Sequence, residues 1–270
     1  MTVFMELEFK GVCGSYASSS NPALYRQTPC VYVNYRGKHL VFDAGTGIIS
    51  LGDDLLETTD DIFVCFSHFH FDHVLGFLYF KPLFEQNRLI YIVHPDPQKA
   101  EKMFKHIFHS DFFPITFEDI PATLRFISPD VCREAHSISI TSHLLNHPGG
   151  SMAYELTLNA KRVIYATDNE ITQYNKDQFV SLFKETDILI HDAYFFHESR
   201  SLHKNWGHSF LVDVLDLADK AQVKSLYLYH VSPELTSDSL VEMKQCVQSF
   251  LATKPHLHIE FAYEGLRVRL

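Results

Sequence analysis

A chain of 270 residues, 46% hydrophobic and only 21% charged, carries enough apolar surface for one large core and lacks the composition of a disordered protein. Its net charge of −10 argues against broad electrostatic docking on nucleic acid or anionic lipid. The five cysteines (Cys13, Cys30, Cys65, Cys132 and Cys246) are scattered and never spaced C-x-x-C, so they suggest neither a disulfide framework nor a thiolate zinc site, and a reducing cytoplasm fits best.

The opening MTVFMELEFKG has no basic n-region and no long apolar run, and no later stretch is apolar for long enough to span a bilayer. The expectation is a soluble, unprocessed, cytoplasmic chain with no membrane partner. MELEFKG reads as a strand, and CVYVNYRGKHLVFDAG as a hairpin turning at Arg36-Gly37. Strand-like runs follow at 61–66, 88–93, 162–167, 187–190 and 225–229, interleaved with longer polar-periodic segments. Two of those segments are helical by spacing: Phe210, Val214, Leu217, Ala218 and Ala221 after His208-Ser209, and Leu240, Met243, Val247, Phe250 and Leu251 near the end. The alternation predicts an α/β class of sheets covered by helices, in a single domain spanning 1–270.

Histidine is abundant, with 17 copies, and one group is dense: DIFVCF runs straight into SHFHFDH. In an extended chain His68, His70 and Asp72 project to one side. His73 breaks that alternation and needs a turn, which Gly76 supports, so Asp72 and His73 aim at a neighbouring point suited to a second metal ion. Burying these groups without a partner costs several kcal/mol, on the order expected for desolvated polar groups.

HFHFDH matches the H-x-H-x-D-H signature of the metallo-β-lactamase-fold hydrolases, and the chain resembles that family in order elsewhere. NHPGGSMAY offers His147 as the third histidine, preferred over His143 because Pro148-Gly149-Gly150 and a strand-like Ser151–Leu158 follow it. RVIYATDNE places Asp168 at a strand end as the bridging aspartate, and SLYLYHVSPE places His230 as the last histidine. GVCGSY and VFDAGTGI resemble the family's Gly-rich N-terminal strands, whereas YRQTPC departs from the usual Gly-Gly-Asn-Thr turn. The resemblance implies a four-layer αββα sandwich. It also implies two divalent ions, zinc foremost with Mn2+ or Fe2+ as alternatives: His68, His70 and His147 on one, Asp72, His73 and His230 on the other, and Asp168 between them. A water between the ions becomes the hydroxide nucleophile, and Asp72 orients it or takes its proton.

Trp206-Gly207-His208-Ser209 resembles the His-Ser/Thr motif of the phosphodiesterase branch, which includes tRNA 3′-processing nucleases and cyclic-nucleotide phosphodiesterases. His208 is then a substrate-binding and catalytic candidate, holding a phosphate oxygen or protonating the leaving alkoxide. Ser209 is a substrate-binding candidate or a helix cap, a helix N-terminus being a phosphate site. Only 168 − 147 = 21 positions separate His147 from Asp168, too few for the protruding arm of the tRNA-processing enzymes. With the acidic balance, this makes nucleic acid an unfavoured partner and a small phosphodiester, such as a cyclic nucleotide, the expected substrate. Thioester hydrolysis of the glyoxalase II kind, lactone or β-lactam hydrolysis, tRNA 3′ processing and a redox metal module are the alternatives. Asp192 is expected near the site as a partner for a metal-ligating histidine, and a homodimer is the default assembly.

Overall fold

Burial alternates along Glu6–Gly11, with Leu7 and Phe9 inside, so this segment forms a strand with one face on a core (β1). It belongs to a computed structural model that describes residues 6–18, 27–158 and 160–270 and divides into two compact units. Among the described residues the first unit takes 6–11, 27–140 and 264–270, and the second takes 12–18, 141–158 and 160–263. Met5 of MELEFKG, with the four residues before it, and the Tyr25-Arg26 part of YRQTPC lie outside the described residues.

In the first unit, β2 (Cys30–Tyr35), β3 (Lys38–Phe42), α1 (Ile48–Leu55), β4 (Ile62–Cys65), α2 (Phe71–Val74), β5 (Leu89–Val93), α3 (Pro97–Ile107), β6 (Thr123–Ile127) and α4 (Pro129–His136) follow in order. The expected hairpin is present: Tyr35 pairs with Lys38 around Arg36 and Gly37, both with positive φ (52° and 75°), as a tight two-residue turn requires. The last strand of the chain, Arg267–Arg269, closes a seven-stranded mixed sheet on the far side of β1, whose other edge is β6. Ile48, Leu51 and Leu55 recur at three- and four-residue spacing along α1, and they share a buried cluster with Val64, Phe66, Phe77, Phe80 and Phe104.

The second unit contains β7 (Ile140–Leu145), β8 (Ser151–Leu158), β9 (Lys161–Ala166), α5 (Lys176–Leu182), β10 (Ile188–Asp192), α6 (Leu211–Lys220), β11 (Ser225–Tyr229), α7 (Ser237–Leu251) and β12 (His258–Phe261). With that numbering Arg267–Arg269 is β13. The sheet order is β12-β11-β10-β9-β8-β7, with β9 to β12 parallel and β8 antiparallel to β9. Every residue of β10 is buried, as a central parallel strand demands. The register pairs His191 with Ala166 and Asp192 with Tyr229, so the residues at and just past these strand ends share one edge.

The expected α/β class holds, and both helices read from apolar spacing are present as α6 and α7. Two local expectations are corrected. The extended run ends at Cys65, and His70 is the N-cap of the one-turn α2, so Asp72 is helical and does not continue a strand alternation. Helix α6 starts at Leu211 with Phe210 as its N-cap, so the His208-Ser209 pair precedes the helix and does not open it. Among the described residues, no helix is long and apolar enough to cross a membrane.

Candidate metal centre

One buried carboxylate organises the candidate metal donors of the first unit. Asp43 follows β3 in a left-handed conformation (φ 56°) and is fully buried. Its Oδ2 accepts the Nδ1–H of His73 at 2.7 Å and the Ser67 hydroxyl at 2.7 Å, while Oδ1 accepts the Ser67 amide at 2.7 Å. Because the Ser67 hydroxyl donates to Asp43, its oxygen accepts from His68 Nδ1 at 3.0 Å. Both imidazoles are thereby set in the tautomer that presents Nε2, the arrangement by which a carboxylate raises the basicity of a metal-ligating histidine.

The nitrogens so presented meet further donors. His68 Nε2 lies 3.0 Å from His70 Nδ1, and His73 Nε2 lies 3.2 Å from Asp72 Oδ2. Two ligand atoms on a tetrahedral zinc ion with bonds near 2.0–2.1 Å stand about 3.3 Å apart, so these pairs have the spacing of co-ligands. The loop and the helix are seated without side chains between them: a Cβ on Gly76 would come within 1.9 Å of the Gly45 carbonyl oxygen, and one on Gly45 within 2.2 Å of the Asp72 carbonyl. Backbone bonds Ala44 N to His73 O (2.8 Å) and Phe77 N to Ala44 O (3.1 Å) complete the seam. Gly76 is required for this close approach and not for the left-handed turn that its position after His73 suggests; its φ is not among the positive values.

In the second unit the donors come from strand ends. Asp168 follows β9 and His230 follows β11, both left-handed (φ 54° and 53°) and buried. The two oxygens of Asp168 face different histidines, Oδ1 at 3.8 Å from His147 Nε2 and Oδ2 at 3.4 Å from His230 Nε2. A carboxylate with one oxygen toward each of two imidazoles has the form of a bridging ligand. His147 donates Nδ1–H to the Gly207 carbonyl at 2.9 Å, which again presents Nε2. His143, the rival third histidine, instead lies on β7 with its Nε2 3.1 Å from Glu155 Oε2.

His208 stands beside this group. Its Nδ1–H donates to Asp192 Oδ2 at 2.9 Å, and its ring stacks at 4.5 Å on Tyr194 and at 5.2 Å on His230. Asp192 thus partners His208, which lies outside the expected ligand set, and not one of the expected metal-ligating histidines, and Tyr194 packs against the same ring. Ser209 does not fit a substrate-binding role. It is fully buried, its hydroxyl donating to the Asn169 carbonyl and accepting the Ile171 amide at 3.2 Å, while its own amide donates to Asp192 Oδ1 at 2.9 Å. It pins the loop carrying His208 to the segment after Asp168. His191, also fully buried, contacts Asn169 through Nε2 at 3.1 Å, and burial holds its imidazole below the usual value despite the neighbouring Asp192.

Asp43 is the group that the sequence reading missed. An aspartate between a β-branched run and Ala-Gly is also an ordinary turn signal, so only its position at the end of the strand beside DIFVCF distinguishes Asp43.

A family model described as a β-lactamase superfamily domain matches residues 38–231. Ribonuclease Z of Archaeoglobus fulgidus is 20% identical over 315 aligned positions, covering 97% of this chain and 99% of that relative. Among solved structures, the metallo-β-lactamase fold protein YhfI from Bacillus subtilis superposes with a TM-score of 0.69 at 19% identity, covering 99% of this chain and all (100%) of its own. A diphosphatase from the PhnP family gives a TM-score of 0.67 at 21% identity, covering 100% of this chain and 98% of that one.

Proposed function

Because the chain belongs to the β-lactamase superfamily and shares the metallo-β-lactamase fold, we propose that it is a dinuclear-metal phosphodiesterase cleaving a phosphodiester of RNA. In this reading His68, His70 and His147 hold one divalent ion, Asp72, His73 and His230 the other, and Asp168 bridges. Imidazole and carboxylate donors favour zinc. The bound ions would supply Lewis acidity and lower the pKa of water to near neutrality.

The observation that carries the phosphodiester reading is the Asp192–His208 pair, joined at 2.9 Å. The Asp192 carboxylate accepts the His208 Nδ1–H and fixes the ring's orientation, so Nε2 is the nitrogen that would hold a phosphate oxygen or donate a proton to the departing alkoxide. Asp72 would orient the attacking water, and Asp43 sets the tautomers of His68 and His73, one donor for each ion. A thioester, whose thiolate leaves without a proton, has no comparable need for such a donor.

For the substrate, the similarity to ribonuclease Z over nearly the full length of both chains supports RNA, and weighs against the expectation that nucleic acid is an unfavoured partner. A small phosphodiester, such as a cyclic nucleotide, is the second reading. It is favoured by the direct β8–β9 pairing, from Tyr154–Tyr165 to Leu158–Lys161, which fills the stretch between His147 and Asp168 and leaves no arm for gripping tRNA.

The test is a side-by-side assay of a precursor tRNA with a 3′ trailer, cyclic mononucleotides, bis-p-nitrophenyl phosphate, a thioester and a β-lactam, with metal analysis. Turnover of the precursor supports the first reading, and turnover confined to cyclic nucleotides supports the second. Turnover of the thioester alone, or iron with oxygen-dependent chemistry, defeats both.

A further inference from the structure

We propose that Glu170 is a positioning residue that aligns His147 and His208 together; the inference rests on the reading of those two histidines as site residues. Glu170 lies two places beyond Asp168 and grips two other loops. Its backbone N–H donates to the Asn146 carbonyl at 2.8 Å and its carbonyl accepts Asn146 Nδ2 at 2.8 Å, tying down the residue before His147. Its carboxylate reaches the other loop, Oε1 accepting the Asn205 amide at 3.0 Å and Oε2 the Gly207 amide at 3.0 Å.

The second grip is chemically specific. Asn205 and Gly207 are both left-handed (φ 66° and 85°), so the turn between them points two amide N–H groups toward one concavity, a nest suited to an anion. The Glu170 carboxylate fills it with one oxygen for each donor. Gly207 must be glycine for a further reason, since a Cβ there would lie 2.1 Å from His147 Nδ1. That proximity lets the Gly207 carbonyl accept His147 Nδ1–H at 2.9 Å. Fixing Gly207 therefore fixes the His147 tautomer and ring plane, and His208 is the next residue in the chain. One carboxylate governs the direction of a metal donor and of the phosphate-facing imidazole without touching either.

The test compares Glu170→Ala and Glu170→Gln with the wild-type full chain. Glutamine keeps one acceptor oxygen and turns an NH2 group toward the other amide, so it satisfies half of the nest. Metal affinity is read by chelator competition, and kcat and KM on bis-p-nitrophenyl phosphate. In the metal-free protein, the His147 Nδ1–H signal is read by imidazole 15N NMR and the fold by far-ultraviolet circular dichroism. For Glu170→Ala we expect native dichroism, a kcat and metal affinity lower by roughly 10–100-fold, a KM within about twofold of wild type, and a His147 Nδ1–H signal lost to exchange. Glu170→Gln should fall between, with half the loop restored. Wild-type metal affinity and an intact Nδ1–H signal in Glu170→Ala overturn the proposal, as does a Gln variant equal to wild type in every readout. Should Glu170→Ala not fold, the Gln variant decides alone. The NMR and metal readouts do not depend on which ester is cleaved, so a failed phosphodiesterase assay with a weakened metal site counts against the function and for the positioning role.

Discussion

Gly14 lies against the His230 imidazole so closely that a Cβ at residue 14 would stand 2.8 Å from its Nδ1 and Cε1. The contact belongs to GVCGSY, whose Val12 and Gly14 backbones bond to Val231 at 3.3 and 3.0 Å, so the strand cannot retreat. Tyr194 blocks the other side at 2.9 Å. Gly14→Ala should rotate His230 away from Asp168 and weaken metal binding by roughly 10–100-fold, the usual cost of disturbing a ligand's support. Calorimetric metal titration measures it; an unchanged affinity would mean that the methyl group is absorbed by backbone movement.

His208 and Asp192 can be separated from the metal donors by the choice of leaving group. If His208 protonates the departing oxygen, His208→Ala should lower kcat by about 10²–10⁴-fold on an alkyl or ribose ester and far less on p-nitrophenyl esters, whose leaving group needs no proton. Equal losses on both would assign it to holding a phosphate oxygen instead. Metal content should stay at the wild-type value in either case. Asp192→Asn should reproduce a smaller version of the same pattern, because an amide oxygen can still accept Nδ1–H but makes a weaker hydrogen bond than a carboxylate.

Acid stability should depend on Glu155, remote from the donors. Contacts with His143 first, then Arg162, pull its carboxyl down from the ordinary 4.5 to about 2. A carboxylate depressed on folding stabilises the protein above its unfolded pKa, and that contribution fades as pH falls from about 5 toward 2. Melting temperature against pH should therefore decline over that window in the wild type. In Glu155→Gln the decline should be shallower, starting from a lower melting temperature at pH 7; parallel curves would remove Glu155 from the acid limb.

Asp168 predicts a gain and a loss from one substitution. It adopts a left-handed backbone (φ 54°), which costs a non-glycine residue about 1–3 kcal/mol unless local bonds offset it. Its buried carboxylate is held by the Thr167 hydroxyl at 2.6 Å. Asp168→Gly should bind metal poorly and lose activity, yet in the metal-free state melt at or above the wild-type temperature. Differential scanning calorimetry without metal decides this. A drop of several degrees would make the carboxylate a pillar of the fold.

Sequence legibility followed the density of the signal. His68, His70, Asp72 and His73 announce themselves because polar donors crowd one strand end, and α6 and α7 because Val214, Leu217, Ala218 and Leu240, Met243, Val247 repeat every turn and are buried. The failures were of two physical kinds. Ser209 looked like a cap because serine often is one, but tertiary partners at Asn169 and Ile171 took its hydroxyl, and the helix began two residues later. Asp43 and Glu170 act on partners 30 and 37 residues away in sequence, His73 and Gly207, and no local pattern encodes such partners. The helices α1, α4 and α5 went unread because 8, 8 and 7 residues give only about two turns in which to repeat a spacing, and α3 because its buried positions are just Ala100 and Phe104.

Asp43, Asp168 and His230 share one trait: each closes or follows a strand with a backbone that glycine would adopt at no cost. For the two aspartates the exchange to glycine is a single-nucleotide change in any of their codons. At Asp168 that one step would exchange the carboxylate for an unstrained backbone, whereas at Asp43 it would strip the buried Ser67 amide and His73 Nδ1 of their acceptor, so the two carboxylates are not equally easy to lose.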